Sequence, residues 1–409
     1  MRFCMVTTFY PPYHFGGDGT YIRSLARALV SRGHQVEVIH CQDAYALRRG
    51  YRPVPLSEED GITVHRLRSS FRQLSPLLTQ QLGHPVLKTR QLHKLLSQDF
   101  DVIHFHNISL IGGPGILSMG EAPVKLYTLH EHWLLCPAHI FWKNSSRACD
   151  GPQCLQCCLR SGIPPQWWRY TNALKHGVAQ VDALLAPSRF TAELHRAAGF
   201  STSVHQLPLF SALAPGLSKQ EQCDRSTFIY VGRVTASKGL EPLLATFARL
   251  PQYELHVIGD GDLRTSLEQR YGDHRHIRFL GPIPQQQLVQ KYRRATALIL
   301  PSLAPETFGL TVVEAFACGT PAVVHRAGGS CEIVEKLGAG LVYETEETLL
   351  QALHQLTQHP SLRQNLGRLA YDTYQRFYTE EIHLRAYLQH ITAIQAQKTQ
   401  RQPAAVSPS

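Results

Sequence analysis

The sequence predicts two doubly wound α/β domains, each a parallel sheet with helices on both faces. Three observations lead there. The chain has 409 residues, more than one hydrophobic core usually organises, so two domains of roughly 200 residues are expected. Short apolar runs alternate along it with longer amphipathic segments, the pattern of βαβ units. That alternation lapses across residues 210–226, FSALAPGLSKQEQCDRS, where Pro, Gly and polar residues lack apolar periodicity and read as a linker.

In the first domain, residues 1–209, the strand RFCMVTT leads through the glycine-rich loop HFGGDGT to a helix at YIRSLARALVSRG and a strand at QVEVIH. Further strands are expected at ITVHRLR, FDVIHFH, VKLYTLH, DALLAPS and SVHQLPL. The second domain, residues 227–375, opens on the strand TFIYVGR and continues through helix GLEPLLATFARL, strand YELHVIG, helix LRTSLEQRYG, strand IRFLGP and helix QQLVQKYRRA. The strand TALILPS, a helix at FGLTVVEAFACG with glycine at its end, and the strand GLVYE complete it. Beyond residue 345 the pattern is helical with Pro360 as a break; residues 376–395 read as a last helix and 396–409 as a frayed tail.

Hydrophobic residues make up 43% and charged residues 18% of the chain, a globular composition that excludes a disordered or fibrous protein. The net charge of +10 favours anionic partners. The basic residues are spread out and no nucleic-acid module is present, so nucleic acid is not the expected partner. The N-terminus reads as a strand and not a signal peptide, and no run approaches the roughly 18 apolar residues of a spanning helix. A cytoplasmic protein, able to rest on the inner face of a membrane, is the expectation.

The chemistry centres on PETFGLTVVEAFACGTPAVV, residues 305–324, where Glu306 precedes the helix and Glu314 lies on it. Eight positions at helical rise separate their backbones by roughly 12 Å. Carboxylate pairs of glycoside hydrolases stand roughly 5–9.5 Å apart, so an acid and nucleophile pair is disfavoured. The arrangement suits an extended ligand instead. An anion can sit on the free amides of Phe308, Gly309 and Leu310, with hydroxyls accepted on either side by the two carboxylates. A nucleotide sugar has that layout, although Glu306 as a simple favourable charge at a helix start accounts for it equally well. YVGRVTASKG adds Arg233 and Lys238 after a strand, where ligands of such sheets bind and where both suit a diphosphate. Gly16, Gly17 and Gly19 allow a backbone to approach phosphate or sugar closely, or simply form a turn.

Cys136, Cys149, Cys154 and Cys157 end in a Cys-x-x-Cys, half of a zinc site. A structural zinc, a reduced loop and disulfide pairing all stay open for them. His104 and His106 alternate along a strand and share one face, which fits a cleft wall or a half-buried sheet equally well, with metal binding as the other reading. Trp167 and Trp168 read as core or helix packing, with an acceptor groove or membrane interface as the other reading.

PETFGLTVVEAFACGTPAVV, YVGRVTASKG, VIGDGD, IRFLGPI and YPPYHFGGDGTYIRSLARALVSRGHQVEVI together resemble the retaining family 4 glycosyltransferases of GT-B fold, over residues 1 to about 395. The resemblance implies two Rossmann-like domains facing across a cleft, with residues 376–395 crossing back to the first. It implies transfer of a hexose or related sugar from a nucleotide-diphosphate donor to a hydroxyl acceptor, with retention, in polysaccharide, glycolipid or glycoside synthesis. Glu306 would bind the donor sugar, Glu314 the ribose, Arg233 and Lys238 the diphosphate, and Phe308, Gly309 and Leu310 would offer amides. Gly16 and Gly17 would border the donor from the opposite domain, and His130, in LYTLHEHW, would face the transferred sugar. No cofactor would be required for catalysis. Pro305 departs from the small residue the family often has there, and the acceptor cleft of the family varies widely. A nucleotide-sugar epimerase or phosphorylase, or a catalytically inactive sugar-nucleotide-binding scaffold on the same architecture, are the alternatives.

Overall fold

A computed structural model describes residues 1–49, 61–211, 213 and 226–401. The strands in chain order are β1 (Arg2–Val6), β2 (Gln35–Cys41), β3 (Thr63–Leu67), β4 (Val102–Phe105), β5 (Val124–Thr128), β6 (Trp142–Lys143), β7 (Arg147–Ala148), β8 (Ala183–Ala186) and β9 (Ser203–Gln206), followed by β10 (Thr227–Val231), β11 (Glu254–Ile258), β12 (Ile277–Gly281), β13 (Ala297–Leu300), β14 (Ala322–His325) and β15 (Gly340–Tyr343). Seven form one sheet in the order β3-β2-β1-β4-β5-β8-β9 and six form a second in the order β12-β11-β10-β13-β14-β15. All pairings within both sheets are parallel. Central strands such as TFIYV and ALIL are buried at every position, because helices cover both sheet faces. β6 and β7 make a separate antiparallel hairpin.

Strand order reverses between β1 and β4 in the first sheet and between β10 and β13 in the second. Such reversals leave a crevice at the carboxyl ends of the strands, where the flanking loops part. The loops that follow β1, β4 and β5 carry Gly16, Gly17, His106 and His130; those that follow β10 and β13 carry Arg233, Lys238 and Glu306. The two sets meet: a Cβ on Gly17 would come within 3.3 Å of Leu310, and Thr307 Oγ1 donates to the carbonyl of His130 at 2.9 Å.

Most of the expected linker, residues 212 and 214–225, lies outside the described residues, as does the end of the expected tail, 402–409. The last helix differs from expectation in extent. It runs Glu380–Arg401, past residue 395, because Lys398 anchors it on Asp182 at 2.7 Å and on the carbonyl of Pro123 at 2.8 Å. Its apolar face carries Leu384, Tyr387 and Ile391, all buried. The Tyr387 hydroxyl is hydrogen-bonded to His104 Nδ1 at 2.9 Å, and His383 bridges the Tyr21 hydroxyl at 2.8 Å and the carbonyl of Pro208 at 2.7 Å. This helix is thus packed on the first domain. No helix among the described residues is long and apolar enough to cross a membrane.

Candidate active site

Glu306 lies in the loop between β13 and the helix Leu310–Ala317, partly buried. Its Oε1 accepts from Lys238 Nζ at 2.6 Å and from the Ser302 hydroxyl. Burial pushes this carboxyl up, but Lys238, the Ser302 hydroxyl and the charge of Arg233 together hold it below its usual value. The side chain is therefore an ionised, oriented acceptor. The resemblance assigns Glu306 to the donor sugar and Lys238 to the diphosphate beside it; the structure pairs the two side chains directly. Arg233 is exposed, and its guanidinium bears on both Glu306 and Glu131.

The helix that follows begins with a bare N-terminus. Gly309 stands at φ 121°, a conformation side chains rarely adopt, and a Cβ there would come within 3.0 Å of Ser330. No side chain caps it. The amides of Phe308, Gly309 and Leu310 donate no hydrogen bond among the described residues, which leaves three N–H groups and the positive end of the helix dipole toward the cleft. Phe308 itself is buried, its ring 5.8 Å from Tyr378.

Glu314 sits one turn into that helix, where the Tyr292 hydroxyl donates to its Oε2 at 3.0 Å. Burial raises its carboxyl to about 7, against the opposing pull of the Tyr292 hydrogen bond. The sign follows directly. Below its ordinary 4.5 the group is neutral whether the chain is folded or not; between 4.5 and about 7 the unfolded chain ionises first, so stability is lost as pH rises. Glu314→Gln should therefore raise the donor-free melting temperature at pH 8 and leave it nearly unchanged at pH 5. A shift of roughly 2–4 °C per kcal/mol recovered is readable by thermal unfolding at the two pH values.

Across the cleft, His130 Nε2 is hydrogen-bonded to His106 Nδ1 at 2.9 Å. The His106 ring lies tilted, 4.0 Å from that of His104, which is fixed by Tyr387 on one nitrogen and Thr128 on the other. Burial holds His130 down at about 4, with Asp18 and Glu131 pulling weakly upward. At neutral pH it is an uncharged imidazole. Glu131 is not a free base beside it, since His139 Nδ1 lies 2.8 Å from its carboxylate. Gly17 begins the helix Gly17–Val30, so the helix starts inside the loop expected from the sequence. Gly19 is needed there because a Cβ would come within 2.8 Å of His14. Gly16 caps this helix, and a Cβ there would meet only Asp18, at 3.8 Å.

Several contacts across the cleft were not foreseen. Ser188 Oγ and Thr191 Oγ1 of the first domain donate to the Thr307 carbonyl of the second at 2.7 and 3.0 Å. Glu332, from the second domain, accepts from the amides of Arg189 at 2.9 Å and Phe190 at 2.6 Å, closing the N-terminus of the first-domain helix Arg189–Ala197. The only sequence signal is Ser188 with Thr191 three residues on, which marks a helix start but not its distant partner.

Cys136, Cys149, Cys154 and Cys157 lie near enough for their thiols to act on one another. Among the described residues no group of three or more His, Cys, Asp or Glu is placed to hold a metal ion, and the nine described cysteines are all free thiols. Two of the four spend their sulfurs locally: the Asn144 amide donates to Cys157 Sγ at 3.2 Å, and Cys149 Sγ turns to the Gly151 carbonyl at 3.4 Å. Burial, then neighbouring thiols, push Cys154 up, and Cys136 is likewise raised by burial first.

Residues 16–209 match the family model of the glycosyl transferase 4-like domain, and residues 218–373 match that of glycosyl transferases group 1. Glycogen synthase of Mycobacterium tuberculosis is 26% identical over 90% of this chain and 89% of its own length. Sucrose-phosphate synthase of Thermosynechococcus elongatus superposes with a TM-score of 0.73 at 19% identity, covering 97% of this chain and 99% of that one. HepE of Anabaena, solved with UDP and glucose, does so with a TM-score of 0.62 at 16% identity, over 99% and 100%. With one glycosyl transferase domain on each side of the cleft and the two-sheet GT-B architecture throughout, the chain is a family 4-type GT-B glycosyltransferase.

Proposed function

We propose that this glycosyltransferase moves a sugar from a nucleotide-diphosphate donor to an acceptor hydroxyl with retention of configuration. The observation that carries the reading is the ionised Glu306, fixed by Lys238 and Ser302 beside three free helix amides and facing the His130 loop. Glu306 accepts hydroxyls of the donor sugar. Lys238, Arg233 and the amides of Phe308, Gly309 and Leu310 take the diphosphate, and Glu314 with Tyr292 meets the ribose. Gly16 and Gly17 let the first domain close over the donor without a side chain in the way.

Retention fits the weak basicity of the first-domain wall. An imidazole held at about 4 is a poor base for an incoming hydroxyl. The departing diphosphate, stabilised by the basic groups, is the better proton acceptor and lies on the face the sugar leaves. His130 then acts as a neutral hydrogen-bonding partner of the sugar, and the protein's work is electrostatic. The bound UDP and glucose of HepE are consistent with this class of donor. Because two cationic side chains and helix amides supply the countercharge, the reaction should persist in a chelator.

A panel of nucleotide sugars, screened by thermal shift and then assayed for nucleoside-diphosphate release, tests the reading. Release only when an acceptor is present supports a transferase. Conversion of the donor sugar without any acceptor would instead identify an epimerase, and donor binding without turnover a scaffold. Lys238→Ala should weaken donor binding by about tenfold to a hundredfold, the worth of a charge-assisted bond; titration calorimetry with the nucleotide alone reads it.

A further inference from the structure

Nine large hydrophobic side chains stand exposed among the described residues, and seven of them fall in two stretches of the first domain, 71–82 and 155–170. Surfaces ordinarily scatter such residues singly. Here the fold gathers them. The helix Leu74–Leu82 packs on the turn Trp167–Tyr170, where Trp168 Nε1 donates to the carbonyl of Gln80 at 2.9 Å. The same indole fills the space over Gly83, in which a Cβ would come within 2.7 Å of the ring. Trp168 is thereby spent on packing, while Trp167 next to it is 58% exposed. The helix Cys154–Arg160 lies beside this turn across a groove of about 240 Å³, lined by Leu134, Leu155, Pro165, Tyr170 and Leu174 among others.

The exposed charge of these stretches has one sign. Residues 69–98 and 151–181 contain no Asp or Glu; of their Lys and Arg, Lys88 is buried on Asp43 and Arg169 is half-buried, which leaves Arg72, Arg90, Lys94, Arg160 and Lys175 exposed. Arg72 follows Phe71, Arg160 follows Leu159 and Lys175 follows Leu174; all three are exposed, and none pairs with a carboxylate among the described residues. Exposed Trp and Tyr suit the boundary between lipid headgroups and acyl chains, where the ring is buried and its polar edge stays wet. Unpaired basic residues beside them suit anionic headgroups.

We propose that this face docks on the surface of an anionic lipid bilayer, with Phe71, Leu159, Trp167 and Tyr170 entering the headgroup boundary and Arg72, Arg160 and Lys175 meeting lipid phosphates. The inference rests on the exposed surface and not on the sugar-transfer reading. The groove is also lined by Leu134 and Leu135.

Flotation of the full chain with vesicles tests it, using phosphatidylcholine alone and phosphatidylcholine mixed with phosphatidylglycerol. The chain should float with the mixed vesicles, and high salt should release much of it. Trp emission should shift to the blue on binding, and Trp167→Phe should abolish the shift, since Trp133, Trp142 and Trp168 are buried. Leu159→Ser with Trp167→Ser should lower the bound fraction by about tenfold or more. Arg72→Gln and Lys175→Gln should each cost about fivefold on anionic vesicles only. These positions are on the surface, so unchanged thermal unfolding will show that the variants fold. Failure of the parent chain to float with mixed vesicles, or equal flotation of the Leu159→Ser, Trp167→Ser variant, overturns the proposal. Lipid-free self-association that the same double variant abolishes, with vesicles left bare, also overturns it and assigns the face to a protein contact.

Discussion

Glu306→Ala should lower the rate of donor-dependent nucleoside-diphosphate release by about a hundred- to a thousandfold, the range found when one preorganised electrostatic partner of a transition state is removed. The carboxylate is held in place by Lys238 and Ser302, so its alignment precedes ligand binding and the loss falls on turnover more than on affinity. Glu306→Gln should fall between parent and alanine variant, keeping an acceptor oxygen but losing the charge. Folding should weaken as well, by about 1–3 kcal/mol, because the pair is mostly buried and alanine leaves Lys238 and Ser302 without their acceptor; thermal unfolding measures this loss apart from turnover. Turnover within a few-fold of the parent in Glu306→Ala would remove Glu306 from the chemistry and leave it as a partner of Lys238.

Tyr387→Ala should destabilise the first domain by roughly 3–5 kcal/mol, as for other large buried aromatic truncations. Tyr387 is fully buried, its ring stacks 5.4 Å from His104, and its hydroxyl satisfies that histidine. Tyr387→Phe isolates the second part: it keeps the ring and leaves a buried imidazole nitrogen unpaired, at a cost of about 1–3 kcal/mol. Urea unfolding of both variants separates packing from hydrogen bonding. A loss below 1 kcal/mol for the alanine variant would show that the last helix is a loose appendage and not part of the first domain's core.

The fold was legible because parallel sheets write themselves as apolar runs spaced by amphipathic helices, as in TFIYV, ELHVI and ALIL. Glu306, Glu314 and the helix between β13 and β14 were legible for a related reason: their spacing is local, set within one strand-loop-helix unit. What sequence reading lost was whatever depends on the facing domain. Nothing around Thr307 announces that Ser188, Thr191 and the His130 carbonyl will converge on it. His106 reads as a cleft wall or a half-buried sheet because alternation along a strand reports only which side a ring lies on. Its hydrogen bond to His130 depends on the register of β4 against β5. The cysteine spacing leaves a structural zinc, a reduced loop and disulfide pairing open; the structure shows nine described free thiols, two of them with backbone partners.

The carboxylate of Glu332 closes a helix that belongs to the other domain. Separation of the domains would therefore strip the amides of Arg189 and Phe190 of their acceptor and leave the positive end of that helix bare. The half-buried amide of Phe190 is the better sheltered of the two, so its slowed exchange with deuterated solvent reports how firmly the second domain holds on to the first.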